Sequence, residues 1–245
     1  LLNHWISTTD PQVLADALIP VVRSSKKDVV LFFVLTAFLK LRTTHLEQRQ
    51  RLRQELFWSV LNEPACWSAT FLRTKVGVLL ASLIQLDYVA GDWPTAFEEL
   101  QSIELLQGAP DILLRTLVAL MDDFGHHETP DNAKIKDMIR GYAITTDHNN
   151  VTTTTLITPP AQSISAQLIN TISSLLLQSL EGCNGAVPPQ HLQISVLALT
   201  ALKGFMAWID LSLVLDEQLH VIKLIFTALA KGSTTDSPMA DAAVV

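Results

Sequence analysis

Six potential metal ligands crowd into ten residues: Asp122, Asp123, His126, His127, Glu128 and Asp131. Imidazole nitrogens and carboxylate oxygens are groups that a divalent cation takes. The spacing argues against a site, because adjacent histidines project in different directions and no histidines stand four apart here. The stretch reads as a solvated loop, and no metal is expected. Another carboxylate, Asp210, stands with Trp208 and Ser212 inside the apolar run GFMAWIDLSLVLDEQ (Gly204–Gln218). It could serve acid–base chemistry, line a ligand pocket or close a turn. No nucleophile or base accompanies it, and the chain lacks G-x-S-x-G, Gly-rich phosphate-loop, H-E-x-x-H and C-x-x-C motifs. No enzyme activity and no cofactor are therefore expected. Asp and Ser suit a helix-to-helix turn, where their side chains bond to free backbone amides. Trp208, Asp210 and Ser212 are read as that structural turn.

The cations are more informative. Lys134, Lys136 and Arg140 fall early in a helix that starts near Thr129, where the macrodipole disfavours positive charge. Such a misfit suggests that an anion is met there. Arg73 and Lys75, in FLRTK (Phe71–Lys75), open another apolar helix at the same unfavourable pole. They suit acidic groups of a neighbouring repeat or of a partner protein. His45, Arg49 and Arg53 form an uncompensated positive stripe at spacing four, beside a Glu47–Arg51–Glu55 row that reads as a self-supporting ladder.

The elements that must carry these residues are helices. Val30, Val34, Ala37 and Leu41 step by four, three and four; Leu72, Val76, Leu79, Leu83 and Leu86 do likewise. So do Leu113, Leu117, Leu120 and Phe124, and again Leu192, Val196, Leu199, Leu202 and Met206, each set drawing one apolar stripe. Asp10-Pro11, Asp28, AGDWP (Ala90–Pro94), GAPD (Gly108–Asp111), TPDN (Thr129–Asn132) and EGCNGAVPPQ (Glu181–Gln190) punctuate them. The AGDWP break should open one helix through about Leu106. With 49% hydrophobic residues, 17% charged and few glycines, the chain reads as all-α, with no convincing strand. Short turns make antiparallel hairpins, and their spacing of roughly 40 residues predicts a HEAT-like α-α superhelix, a solenoid of such hairpins. A compact helical bundle is the alternative.

The expected organisation is a partial N-terminal hairpin over 1–27, HEAT repeats over 28–144, an inserted low-complexity loop over 145–162, further HEAT repeats over 163–232 and a disordered or truncated tail over 233–245. In the loop, TTDHNNVTTTTLITPPAQ offers too little apolar surface to offset ordering entropy. Its threonines could be modification sites or simply slack chain. The net charge of −7 excludes a chain that grips nucleic acid over its whole surface, though not local basic patches. Cys66 and Cys183 show no ligand spacing and read as reduced thiols. No apolar run is long enough to span a bilayer, so no membrane insertion is expected. The start at Leu1 rather than Met reads as that of a fragment or of a truncated gene product.

FLRTKVGVLLASLIQLDYVAGDWPTAFEELQS (Phe71–Ser102) resembles the exportin-1/importin-β-like region of the β-karyopherins, on Phe71, Arg73, Lys75, Trp93, Pro94 and Phe97. Position 74 is Thr where many relatives carry Asn. DILLRTLVALMDD (Asp111–Asp123), IKDMIR (Ile135–Arg140) and AWIDLSLVLDE (Ala207–Glu217) are similar to the tRNA exportins, the exportin-T family, in the same order. The resemblance covers about Asp28 to Lys231. It implies a nuclear export receptor that binds the small GTPase Ran in its GTP form together with tRNA, passes nuclear pore proteins and shuttles between nucleus and cytoplasm. On that reading Lys134, Lys136 and Arg140 are tRNA phosphate candidates, and Arg73 and Lys75 are Ran-surface candidates. A karyopherin for protein cargo, or a HEAT scaffold with neither ligand, are the alternatives.

Overall fold

The computed structural model describes residues 9–41, 45–146, 152–159, 162–181, 188–209, 213 and 220–232. The chain divides into two compact units, Leu1–Leu120 and Met121–Val245, and the division falls inside one helix. Unit 1 holds α1 (Pro11–Ser24), α2 (Asp28–Lys40), α3 (Leu46–Asn62), a 3-10 turn (Pro64–Trp67), α4 (Thr70–Ala90), α5 (Ala96–Leu100), α6 (Ile103–Gly108) and most of α7 (Pro110–His126). Unit 2 continues with α8 (Pro130–Arg140), strands β1 (Tyr142–Thr146) and β2 (Thr152–Leu156), α9 (Ile164–Leu180), α10 (Pro189–Met206) and α11 (His220–Gly232). The chain is all-α in class and built from packed helical hairpins of the HEAT kind.

The boundaries follow local chemistry. The Asp10 carboxylate accepts the amides of Gln12 and Val13 at 2.8 and 3.2 Å, and Pro11 needs no donor at the first helical position. Gly91, at φ 79°, ends α4 in a Schellman turn: the amide of Asp92 bonds the Asp87 carbonyl and that of Gly91 the Tyr88 carbonyl. The expected single helix after AGDWP is two short ones. The chain breaks at Gln101–Ser102, and the Ser102 hydroxyl caps α6 by accepting the Leu105 amide at 3.4 Å.

Within unit 1, α1 packs on α3 and α2, while α2 packs on α4. Leu14, Leu31, Leu35, Leu56, Trp67, Leu72 and Leu80 are all but inaccessible to solvent. The Trp67 indole donates to the Ser59 hydroxyl at 2.9 Å, which bonds the Val22 carbonyl at 3.2 Å, so a buried polar group has its partner. In unit 2, α9 packs chiefly on α10 and also meets α8 and α11. Small side chains let α9 and α10 approach: the hydroxyls of Ser179 and Ser195 lie 2.6 Å apart in the buried seam.

The stretch read as an inserted loop contains secondary structure. β1 and β2 pair antiparallel, Tyr142 opposite Leu156 through Thr146 opposite Thr152. β-Branched threonines and isoleucine suit a pleated ribbon even where apolar content is too low for a core. Residues 147–151 and 160–161 lie outside those described, as do Cys183, Asp210, Ser212 and the tail from residue 233.

Glycines report where helices touch most closely. A Cβ on Gly77 of α4 would lie 2.7 Å from the Arg115 Cβ and 2.9 Å from its carbonyl carbon on α7. A Cβ on Gly125 would meet nothing within 4 Å. Gly77→Ala is therefore expected to cost about 1–3 kcal/mol by overpacking, whereas Gly125→Ala should be neutral or gain up to about 1 kcal/mol from helix propensity. Urea titrations of the two variants measure this; equal stabilities would contradict the close α4–α7 crossing.

Candidate functional site

One of the two sequence candidates on α4, Arg73, sits in an ionic latch. Arg73 lies in the first turn of α4, and its guanidinium grips both oxygens of Asp111, at the start of α7, with the Nε contact at 2.7 Å. It also donates to the Trp67 carbonyl at 3.4 Å. Arg115, one turn along α7, donates Nε to Asp111 at 3.0 Å and another nitrogen to the Thr74 hydroxyl at 2.6 Å. Thr74 thus has a polar role through its hydroxyl. Burial pushes the Asp111 carboxyl up, but hydrogen bonds and charge from Arg73 and then Arg115 outweigh it and hold the group below its ordinary value. Lys75 is half-buried, with its ammonium 4.6 Å from the centroid of the Phe32 ring. The pairing of Arg73 with a neighbouring repeat is the structural use anticipated for it.

A second latch corrects the expectation for the His45–Arg49–Arg53 stripe. Two of its members share one buried carboxylate: Arg49 Nε and an Arg53 nitrogen reach the two oxygens of Asp87 at 2.6 and 2.7 Å. Arg53 also stacks over the buried Trp93 ring at 4.2 Å. Burial pushes the Asp87 carboxyl up and the Arg53 guanidinium down, and their mutual attraction offsets part of both shifts. The neighbouring row is likewise not a ladder along α3. Arg51 pairs with Asp16 of α1 at 2.9 Å, and Glu55 faces Arg23 of α1 at 3.7 Å.

In unit 2 the cations of α8 meet an aromatic cluster. Trp208 follows α10, and the amides of Trp208 and Ile209 both bond the Phe205 carbonyl at 3.1 Å. Its ring lies 6.0 Å from Phe124 and 5.3 Å from Phe205, and its indole donates to the Met121 sulfur at 3.3 Å. Lys136 donates to the Phe124 carbonyl at 3.3 Å, satisfying a free acceptor in the last turn of α7. Arg140 sits 5.4 Å from the Trp208 centroid and 3.6 Å from Asp137. Lys136 and Arg140, four apart, share this face; Lys134, two residues earlier, is turned about 160° round the helix. The structure thus brings two of the three candidates together and separates the third. The turn role of Asp210 and Ser212 falls on residues outside those described.

The His-rich turn holds itself together. His126 Nδ1 lies 2.7 Å from the Asp122 carbonyl, which can only accept, so that nitrogen carries the proton. Asn132 bridges the Asp123 carboxylate and the His127 carbonyl at 3.1 and 2.8 Å. Among the described residues no three His, Cys, Asp or Glu are grouped to hold a metal, and no helix is long and apolar enough to cross a membrane.

Three residues of the motif have clear physical uses: Arg73 latches α4 to α7, Trp93 lies buried against Arg53, and Phe97 packs buried against Tyr88. A family model described as exportin 1-like protein matches residues 69–244, which takes in the motif, α8 and the WIDLSL stretch. The chain belongs to the exportin 1-like family. No curated protein and no solved structure matches it. This exportin-type chain thus has a nuclear-transport lineage and a helical-hairpin scaffold.

The latch on Asp111 makes a pH prediction. A carboxyl held below its unfolded value of about 3.9 contributes stability at higher pH and loses it as pH falls through the lower folded value. The exportin-like chain should lose stability on acidification below about pH 4, and Asp111→Asn should flatten that part of the profile while lowering stability at pH 7. Chemical denaturation across pH 2.5–7 measures both; an unchanged acid limb would show that Asp111 is not held as described.

Proposed function

We propose that this chain is the N-terminal part of a tRNA exportin. It binds RanGTP and tRNA cooperatively in the nucleus, passes nuclear pore proteins, and releases tRNA in the cytoplasm after GTP hydrolysis on Ran. The chain itself catalyses nothing; its work is coupling, in which each ligand raises the other's affinity by favouring the same conformation of the array. The observation that carries the tRNA reading is α8, with three cations on eleven residues in a chain of net charge −7. Phosphate contacts by Lys and Arg supply most RNA affinity, and A-form RNA is met by shape rather than by base edges.

Lys134, Lys136 and Arg140 are the proposed phosphate contacts, with Lys136 and Arg140 held ready by Phe124 and Trp208. On the Ran surface we place Arg73 and Lys75. Lys75 offers the ammonium, and Arg73, already paired with Asp111, fixes the turn that presents it.

The GTP form of Ran, loaded with a non-hydrolysable analogue, should be captured by the chain and the GDP form not; equal or absent capture counts against the transport reading. Lys75→Glu should weaken capture without unfolding the protein, unlike Arg73→Glu, which breaks the latch. Adding tRNA should strengthen Ran capture, whereas a carrier of protein cargo gains nothing. Charge reversal at Lys134, Lys136 and Arg140 should lower tRNA affinity and shrink its salt slope by about one per lost contact. An unchanged slope would remove the phosphate assignment.

A further inference from the structure

Beyond the ligand reading, one segment carries a modification chemistry of its own. β2 leads into Leu156, Ile157, Thr158 and Pro159, all exposed except the half-buried Thr158. The chain bends at Thr158, and a proline stands immediately after its hydroxyl. A kinase that accepts Ser or Thr before proline needs a hydroxyl it can reach and a residue without an amide hydrogen at the next position, and the half-buried Thr158 stands between exposed Ile157 and Pro159. The other Thr-Pro pair among the described residues is a poorer acceptor. Thr129 spends its hydroxyl on the Asn132 amide at 3.1 Å, and the residues after it are already helical.

Thr158 also sits at a sensitive place. The amides of Ile157 and Thr158 both bond the Gly141 carbonyl, at 2.9 and 3.1 Å, so the strand exit is moored to the end of α8. Gly141 adopts φ 94°, and a Cβ there would lie 2.8 Å from the Thr158 carbonyl oxygen and 2.9 Å from the Thr158 Cβ. That end is the negative pole of the α8 dipole, where a new anion is disfavoured unless a cation pairs with it. Arg140 is the adjoining residue. Its existing bond to Asp137 is loose at 3.6 Å and about one-third exposed at both ends, the kind of surface pair that contributes little.

We propose that Thr158 is phosphorylated by a proline-directed protein kinase and that the phosphate takes Arg140 away from Asp137 and Trp208. The Thr158 oxygen bonds to the γ-phosphorus of ATP as the bond to ADP breaks, and the hydroxyl proton passes to the base of the kinase. The product carries about −1.5 to −2 charge at neutral pH and acceptor oxygens that suit a guanidinium. Two consequences follow: the strand exit loosens from Gly141, and α8 loses one cation for other anions. The second consequence rests on the RNA reading above; the acceptor site and the loosening do not.

The test uses the folded chain, a proline-directed kinase with ATP, and phosphosite mapping by mass spectrometry. Thr158 should be labelled, and Thr158→Ala should lose that label. Labelling that appears only after urea unfolding, or never at Thr158, overturns the site. Hydrogen exchange at the amides of Ile157 and Thr158 should quicken several-fold on phosphorylation; unchanged exchange overturns the loosening. In filter binding with tRNA, phosphorylation should weaken affinity about tenfold and reduce the salt slope by about one. Arg140→Ala should abolish that difference. Binding by the unphosphorylated chain that phosphorylation leaves unchanged overturns the Arg140 step. A chain that binds no RNA in either state removes the RNA reading, and the labelling and exchange results then decide the proposal alone.

Discussion

A buried carboxylate held between two guanidiniums is the constraint on which unit 1 depends. It occurs twice, at Asp87 with Arg49 and Arg53, and at Asp111 with Arg73 and Arg115. Apolar stripes alone let stacked helices slide, because one leucine replaces another along the groove. A paired charge inside the stack does not permit this, since stripping one partner from such a group costs about 3–5 kcal/mol. Each latch joins residues more than thirty positions apart in sequence, and so fixes one helix against another of the array. α4 is fastened at both ends, by Arg73 in its first turn and Asp87 near its last. Gly77, between them, lets α7 come within backbone contact.

That arrangement explains what was legible in the sequence. Helix starts at Pro11, Asp28, Pro110 and Pro130 follow from caps, prolines and first-turn acids that act over three or four residues, and local chemistry is readable locally. Trp208 follows the end of α10, its amide bonded to the Phe205 carbonyl, while its turn partners Asp210 and Ser212 lie outside the described residues. The stripe of His45, Arg49 and Arg53 shows where such reading stops. Spacing places Arg49 and Arg53 on one face, but nothing near them reveals that Asp87, from the end of another helix, will fill that face. The same holds for Asp111, an ordinary first-turn acid by its neighbours. The β-hairpin was missed for a different reason: low apolar content argues against a core, yet two short strands need only β-branched residues and backbone pairing.

The candidate cations divide along the same line. Arg73 is committed to a buried carboxylate; among the described residues Lys136 and Arg140 meet a carbonyl, aromatic faces and one loose, exposed carboxylate at Asp137. Those partners differ in what they leave available. A carboxylate neutralises a guanidinium, whereas a ring or a carbonyl orients a cation and leaves its net charge in place. Charge that is positioned but not neutralised is what a polyanion meets most favourably, because less side-chain freedom remains to be lost on binding. On this physical ground the proposed phosphate contacts fall better on α8, and the first turn of α4 suits a scaffold. Lys134, on the other side of α8, would serve a ligand that wraps the helix rather than one that lies along a single face. A folded RNA with closely spaced phosphates can do so; a short extended peptide cannot.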